Sequence, residues 1–321
     1  MEDPTLCVLI PCLNEEIGIQ SVVQEFRAQF PKSRILVVDN GSSDETADLA
    51  RKAGAEVMVE ARPGKARAVL AGLSRIDTDL VIMVDGDGTY PAEGARRLLD
   101  AYLQDPADMV NGIRQGVSGN VFRPMHQAGT SAFARVLRWV FGYQSIDLFS
   151  GLRLFSRRFY RNIPIHSRGF ELEMELTIQA IDKEFRMKEV VVPFMERPKG
   201  SASKLRTIRD GIRILRLLLL LHRDYRPFSF FGSISGMILV AGLAAGSLPI
   251  HEYITTRMVG RFPLAILAAA LCNLAAFTFF TGLILESNLR HRREEYQVEL
   301  RKFSAECAHE VHSGEESGNR H

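Results

Sequence analysis

Two hydrophobic patterns divide the chain. From Thr5 to about Phe194, short unbroken apolar runs alternate with longer stretches whose apolar residues recur at helical spacing. Thr5 to Ile10, Arg34 to Val38, Glu56 to Val59 and Leu80 to Val84 read as strands. Strands covered on both faces carry continuous apolar runs rather than alternation. Glu16 to Phe30, Thr46 to Ala53 and Lys65 to Arg75 read as helices between them. Alternating strands and helices predict an α/β fold with a mainly parallel, Rossmann-like sheet of βαβ units. Ligands on such sheets bind beyond the carboxyl ends of the strands, so the polar residues after each strand are the candidates for chemistry.

The last third follows a different rule. Leu205, Ile208, Ile212, Leu215 and Leu219 form an apolar helical stripe, and Arg206, Arg209, Arg213 and Arg216 form a basic one. A basic amphipathic helix of this kind lies in a lipid headgroup region or packs on its own domain. Next come Phe228 to Leu248 and Phe262 to Leu285, free of charged residues and each long enough to cross a hydrocarbon core of roughly 30 Å. Gly232, Gly236, Gly242 and Gly246 give the small-residue spacing that suits close helix packing in lipid, with self-association as a further possibility. Asn273 is the polar intruder, expected to bond to a neighbouring helix. Arg223 and Arg226 precede the first span and Arg290, Arg292 and Arg293 follow the second, whereas the connecting loop holds Arg257 and Arg261. The positive-inside bias then places the large domain and both termini in the cytoplasm. The expected organisation is a domain over 1–200, an interfacial helix over 201–227, a two-helix membrane hairpin over 228–286 and a basic, polar tail over 287–321. From Ser304 onward that tail reads as disordered.

Composition sharpens this picture. Hydrophobic residues make up 46% of the 321 positions beside 24% charged ones, so the apolar residues must be concentrated. The net charge of +2 gives no field for nucleic acid. Cys7, Cys12, Cys272 and Cys307 are scattered, with no CxxC pair, which argues against a disulfide framework or zinc site and fits a reducing compartment. Met1 to Pro4 is acidic and runs straight into a strand, with no signal-peptide pattern.

The strongest chemical signal is Val84-Asp85-Gly86-Asp87-Gly88-Thr89 at a strand end. Two carboxylates at that spacing, flanked by glycines, gather a hard cation such as Mg²⁺ or Mn²⁺, which usually shares them with substrate phosphates; an ordinary acidic turn has the same residues. The first strand runs into Pro11-Cys12-Leu13-Asn14-Glu15-Glu16 and the second into Asp39-Asn40-Gly41-Ser42-Ser43-Asp44. Asn14 and Asp44 suit helix caps, leaving Glu15 and Asp39 to face a ligand. Arg62-Pro63-Gly64-Lys65 opens the next helix, a place for an anion, and lacks the Walker pattern.

Seven segments together resemble the family-2 glycosyltransferases with the GT-A fold, in the branch containing dolichyl-phosphate mannose synthase and bacterial polyprenyl-phosphate glycosyltransferases. They are Pro11 to Glu15, Val38 to Ser42, Asp85 to Asp87, Asn111 to Arg114, Asp147 to Arg153, Gly169 to Glu175 and Arg197 to Leu205. The resemblance runs from about Leu6 to Leu205. It implies that Pro11, Leu13, Glu15 and Asp39 frame the nucleoside, and that Asp85 and Asp87, with Thr89, hold the metal on the donor diphosphate. By the same resemblance Arg114, Arg197 and Lys204 contact donor phosphates, and Arg153 meets the acceptor phosphate; Lys65, at its helix start, is a further donor-side candidate. Glu175 matches the family's glutamate and takes an orienting or metal-proximal role, with Asp87 and Arg153 the other catalytic candidates. Three departures stand out: Leu13 replaces a tyrosine, Asn40 replaces the second aspartate, and Arg197 and Lys204 lie one residue further apart than usual.

The implied activity is metal-dependent, inverting transfer of a hexose from a UDP- or GDP-sugar to dolichyl or undecaprenyl phosphate. One alternative is the same fold glycosylating a hydroxyl of a glycolipid or polysaccharide, which needs a base and makes Glu173 or Glu175 the candidate. The other is a membrane-anchored nucleotide-sugar-binding protein without turnover.

Overall fold

The computed structural model describes residues 4–114, 147–165, 172–195, 219–220 and 222–318, with side chains to 303. Strands β1 (Leu6–Cys12), β2 (Arg34–Asp39), β3 (Glu56–Val59), β4 (Leu80–Met83), β5 (Met109–Arg114), β6 (Arg153–Ser156) and β7 (Met187–Val192) form one sheet. Its order is β3-β2-β1-β4-β6-β5-β7. β6 runs antiparallel to both β4 and β5, and the other pairings are parallel. The mainly parallel α/β architecture expected from the pattern is therefore present. β1, β2 and β4 are buried along nearly their whole length, which is why their sequences show unbroken apolar runs. β3, at an edge, is exposed at both ends.

Helices α1 (Ile19–Gln29), α2 (Thr46–Lys52), α3 (Lys65–Leu73) and α4 (Ala92–Gln104) follow β1 to β4, and α5 (Arg157–Asn162) and α6 (Leu172–Asp182) follow β6. α1 buries Ile19, Val22, Val23 and Phe26 at helical spacing. They join Val8, Ile10, Val37, Leu80, Ile82 and Leu154 of the sheet in one core cluster. Burying side chains of this size stabilises by roughly 1.5–3 kcal/mol each before conformational entropy is subtracted. The chain leaves β1 for β2 and β3 on one side and returns to β4 on the other. That reversal opens a crevice at the carboxyl ends of β1 and β4, the place where such sheets bind ligands.

The chain divides into two compact units, Met1–Leu205 with Leu300–His321, and Arg206–Glu299. The second holds α7 (Pro227–Thr256) and most of α8 (Phe262–Gly318). Both helices are long and apolar enough to cross a membrane. Pro227 sits in the first turn of α7, where its missing N–H is unneeded. Among the four glycines, Gly242 and Gly246 face the other helix: an added Cβ would meet Cys272 Sγ and Leu271 at 3.1 Å or Ala268 at 3.3 Å. Gly232 and Gly236 have open space instead. Asn273 is exposed, and an interhelical bond is made by Ser235, whose hydroxyl donates to Ala275 O at 2.7 Å.

The tail differs from its composition. α8 continues without a break to Gly318, through residues expected to be disordered. Extending an existing helix adds one hydrogen bond per residue without a new nucleation cost, and Glu, Ala, Arg and Lys after the apolar span are good helix formers. The basic stripe from Arg206 to Arg216 lies outside the described residues.

Candidate active site

The loops at the crevice are tied to one another by backbone–side-chain bonds. Asn14 adopts the left-handed conformation (φ 54°), which asparagine tolerates better than most residues. Its side-chain oxygen accepts from Ser43 N at 2.8 Å, and its own N–H donates to Ser42 Oγ at 2.9 Å. Glu15 N donates to Thr46 Oγ1 at 2.8 Å. The β1 and β2 exits are thereby locked side by side, with Cys12 opposite Asp39 in the parallel register. Asp39 is buried, and both of its oxygens lie 3.3 Å from Ser42 N. Pro11 is buried within β1 and Leu13 is exposed at its mouth, with Glu15 half-buried.

Asn40 organises the next loop. Its amide donates to Glu60 O at 2.9 Å and to Arg62 O at 2.8 Å, and its oxygen accepts from Gly64 N at 2.6 Å. An aspartate there has no N–H to offer the two carbonyls, which explains the asparagine in this chain. Gly64 takes φ +129°, a conformation that L side chains rarely adopt, and turns the chain into α3 with Lys65 as its first residue.

Lys65 then reaches across the crevice. Its ammonium donates to Asp85 Oδ1 at 2.5 Å and also to Glu173 Oε1 on α6. Burial disfavours this charge, but Asp85 and Glu173 outweigh it and hold Lys65 above the ordinary lysine range. The carboxylate of Asp85 packs directly on Gly151, where an added Cβ would stand 2.1 Å from Oδ2. Gly86 is similarly required, since a Cβ there would lie 2.5 Å from Cys12 Sγ. Gly151 N donates to Tyr90 Oη at 2.9 Å. Tyr90 is itself buried, and that burial lifts its phenol to about 12. Asp87 Oδ1 accepts from Thr89 Oγ1 at 2.7 Å and from Thr89 N at 3.1 Å.

Residues 7–164 match the family model described as Glycosyl transferase family 2. The dolichyl-phosphate hexose transferase of Haloferax volcanii is 32% identical over 210 residues, covering 65% of this chain and 90% of that one. The chain belongs to the family-2 glycosyltransferases. The glycosyltransferase AglJ of the same organism is 29% identical over 292 residues, 90% of this chain and 95% of that protein. Among solved structures, glucosyl-3-phosphoglycerate synthase from Mycobacterium tuberculosis, in complex with Mn²⁺, uridine diphosphate and phosphoglyceric acid, superposes with a TM-score of 0.56. It is 23% identical, over 68% of this chain and 78% of that one, and shares the fold.

The donor set of this family-2 glycosyltransferase fits a divalent cation. Asp85 and Asp87 bring hard carboxylate oxygens to the end of β4, and a cationic group, the Lys65 ammonium, already rests on one of them. No group of three or more acidic, histidine or cysteine side chains stands ready as a metal cage among the described residues. A two-carboxylate site suits Mg²⁺ or Mn²⁺ completed by phosphates and water.

Other expected residues of the glycosyltransferase fall differently. Thr89 is buried, with its hydroxyl on Asp87, a position that orients the carboxylate rather than offering a ligand. Arg114 makes a two-pronged ion pair with Asp147, Nε to Oδ2 at 2.6 Å and Nη2 to Oδ1 at 2.8 Å. Burial opposes its charge, but Asp147 keeps it raised. It also lies over the Phe194 ring, 5.3 Å from the centroid. Its fork is thus occupied by protein rather than open to a donor phosphate.

Arg153 departs furthest from expectation. It is 0% exposed. Its Nε donates to Ser150 O at 3.0 Å, Nη2 to Leu148 O at 2.9 Å and Nη1 to Thr177 Oγ1 at 2.8 Å. Burial pulls it below the usual arginine range, with Glu173 and Asp147 opposing. In this geometry it braces the turn that carries Gly151 and, through Thr177, the helix that carries Glu173; it presents no donor to an acceptor. Glu175 lies half-buried on α6, and Glu173 is the acidic residue of that helix that meets the Lys65 ammonium. Arg197 and Lys204 lie outside the described residues. Sequence reasoning missed Tyr90 and the bridging role of Lys65; the aromatic directly after the glycine-flanked carboxylates was the available signal for Tyr90.

Proposed function

We propose that this glycosyltransferase moves a hexose from a nucleotide-diphosphate sugar to a polyprenyl phosphate, dolichyl or undecaprenyl, at the cytoplasmic face of a membrane. The observation that carries the reading is the charged cluster of Asp85, Asp87 and Lys65 at the reversal point of the sheet. It occurs in a chain that also has two helices apolar enough to span a membrane. The similarity to a protein named as a dolichyl-phosphate hexose transferase supports the same acceptor class.

Pro11, Leu13, Glu15 and Asp39 line the mouth of β1 and β2 and receive the nucleoside. Asp85 and Asp87 would hold Mg²⁺ or Mn²⁺ on the donor side. A divalent cation in that place supplies positive charge where the leaving group becomes negative. Thr89 and Gly151 fix the two carboxylates, so little reorganisation is needed as charge develops. An acceptor phosphate oxygen attacks the anomeric carbon opposite the leaving group. The new carbon–oxygen bond forms as the old one breaks, its electron pair departs on the diphosphate, and the anomeric configuration inverts. A phosphate oxygen is already anionic near neutral pH, so no strong base is required.

Arg223, Arg226, Arg290, Arg292 and Arg293 flank the outer ends of the two spans, which supports cytoplasmic termini. Transfer to a hydroxyl is the second reading, favoured by the presence of Glu173 in the cluster; that carboxylate is already engaged by Lys65. The test is purified full-length protein in nanodiscs with labelled UDP- and GDP-hexoses and each polyprenyl phosphate. Label entering the lipid phase from one donor supports the proposal, and no lipid-linked label from any donor overturns it.

A further inference from the structure

Lys65 stands where a cation is wanted, and its charge depends on carboxylates that offset an otherwise unfavourable position. It is the first residue of α3, at the positive end of the helix dipole, where cations are disfavoured. Its side chain is 17% exposed, so hydration does little for the charge. Two carboxylates compensate: Asp85 from the end of β4 and Glu173 from α6. The contact is built from both sides. Asn40 fixes the Gly64 turn that launches Lys65, and Gly151 closes the opposite side of Asp85. One oxygen of Asp85 is therefore held by the ammonium and the other rests on the backbone. A divalent ion that takes Asp85 must share it with Lys65 or move Lys65 away.

We propose that Lys65 is a resident counter-ion that competes with the divalent cation for Asp85, making cation binding depend on the donor diphosphate. This rests on the metal and donor reading given above. With the bare cation alone, uptake places a second positive charge beside the ammonium with no added anion. With the diphosphate present, the ammonium gains a new anionic partner and can leave Asp85. Metal and nucleotide then bind cooperatively, and the coupling is reciprocal. The device also explains why Asp85 and Glu173, two carboxylates from different elements, stay together before any ligand arrives.

The experiment measures Mn²⁺ binding to the full-length protein in nanodiscs by electron paramagnetic resonance of the free ion, with and without a nucleoside diphosphate. Wild type should take up Mn²⁺ weakly alone and on the order of tenfold or more tightly with the nucleotide, a coupling of typical size. Lys65→Met should bind Mn²⁺ alone several-fold more tightly than wild type and lose most of the enhancement by nucleotide. Unchanged or weaker Mn²⁺ binding in Lys65→Met without nucleotide overturns the competition. Should that variant misfold, wild type still decides. Saturating Mn²⁺ alone should raise labelling of Lys65 by an amine-reactive reagent, read by peptide mass spectrometry, and unchanged labelling overturns the proposal. Absence of Mn²⁺ uptake by wild type even with nucleotide overturns the metal reading itself, and the counter-ion with it.

Discussion

Truncating Arg153 separates a brace from an acceptor contact. The guanidinium is fully buried and donates to Ser150 O, Leu148 O and Thr177 Oγ1 at 3.0, 2.9 and 2.8 Å. Arg153→Ala removes these charge-assisted bonds and leaves two carbonyls without those donors inside the protein. Each such bond contributes about 1.5–3 kcal/mol and each stranded polar group costs about 1–3 kcal/mol. Relief of the arginine's own desolvation offsets part of the sum, leaving a net cost of about 3–5 kcal/mol. For a unit of this size that lowers the melting temperature by about 6–20 °C. Arg153→Lys should recover little, since one ammonium does not reproduce the planar fork that spans three acceptors. Scanning calorimetry of the full-length protein in nanodiscs reads the melting temperature, and titration calorimetry reads donor binding. Both should fall, because the braced turn carries Gly151 against Asp85. A melting temperature within about 2 °C of wild type, with donor binding intact and transfer to lipid lost, would refute the brace and return Arg153 to the acceptor phosphate.

Other substitutions probe the remaining parts of the account. Asp87→Ala should abolish transfer while the far-ultraviolet circular dichroism stays native, and excess chelator should silence the wild type; full activity in either case removes the metal from the mechanism. Gly151→Ala places a methyl 2.1 Å from Asp85 Oδ2, so initial rates should drop at least about 100-fold, the scale of losing one preorganised charge contact. Near-normal rates would mean that the turn yields freely. A reporter fused after Arg293 should read cytoplasmic and one inserted near His251 external; the same side for both contradicts the hairpin.

The buried strands were legible because burial on both faces writes an unbroken apolar run. β5 and β7 were not. β5 mixes Asn111 and Gly112 into its run, and β7 carries Lys188 and Glu189 with most of its residues half-buried. The antiparallel entry of β6 was invisible, since direction in a sheet depends on partners distant in sequence. At the site, Asp85 and Asp87 are candidates by their spacing, and they do follow the end of β4. The pairings were not legible: Lys65 and Glu173 are separated by 108 positions, and only the fold brings them together. The protein partners of Arg114 and Arg153 were hidden for one reason. An arginine in a sequence shows its charge and not whether its fork already holds a carboxylate, as Asp147 does for Arg114, or carbonyls, as the Ser150 turn does for Arg153. Asn40 looked like a departure and proved to be a hinge pin whose amide hydrogens an aspartate lacks.

The central claim is that the acceptor brings its own anionic oxygen. The most direct measurement compares transfer to a polyprenyl phosphate with transfer to the same polyprenol lacking the phosphate, using the donor that the screen identifies. The account predicts labelled lipid from the phosphate and background from the alcohol, with Glu175→Gln retaining transfer to the phosphate. Glycosylation of the free polyprenol at a comparable rate, abolished by Glu173→Gln or Glu175→Gln, would contradict it and identify a hydroxyl acceptor with a carboxylate base.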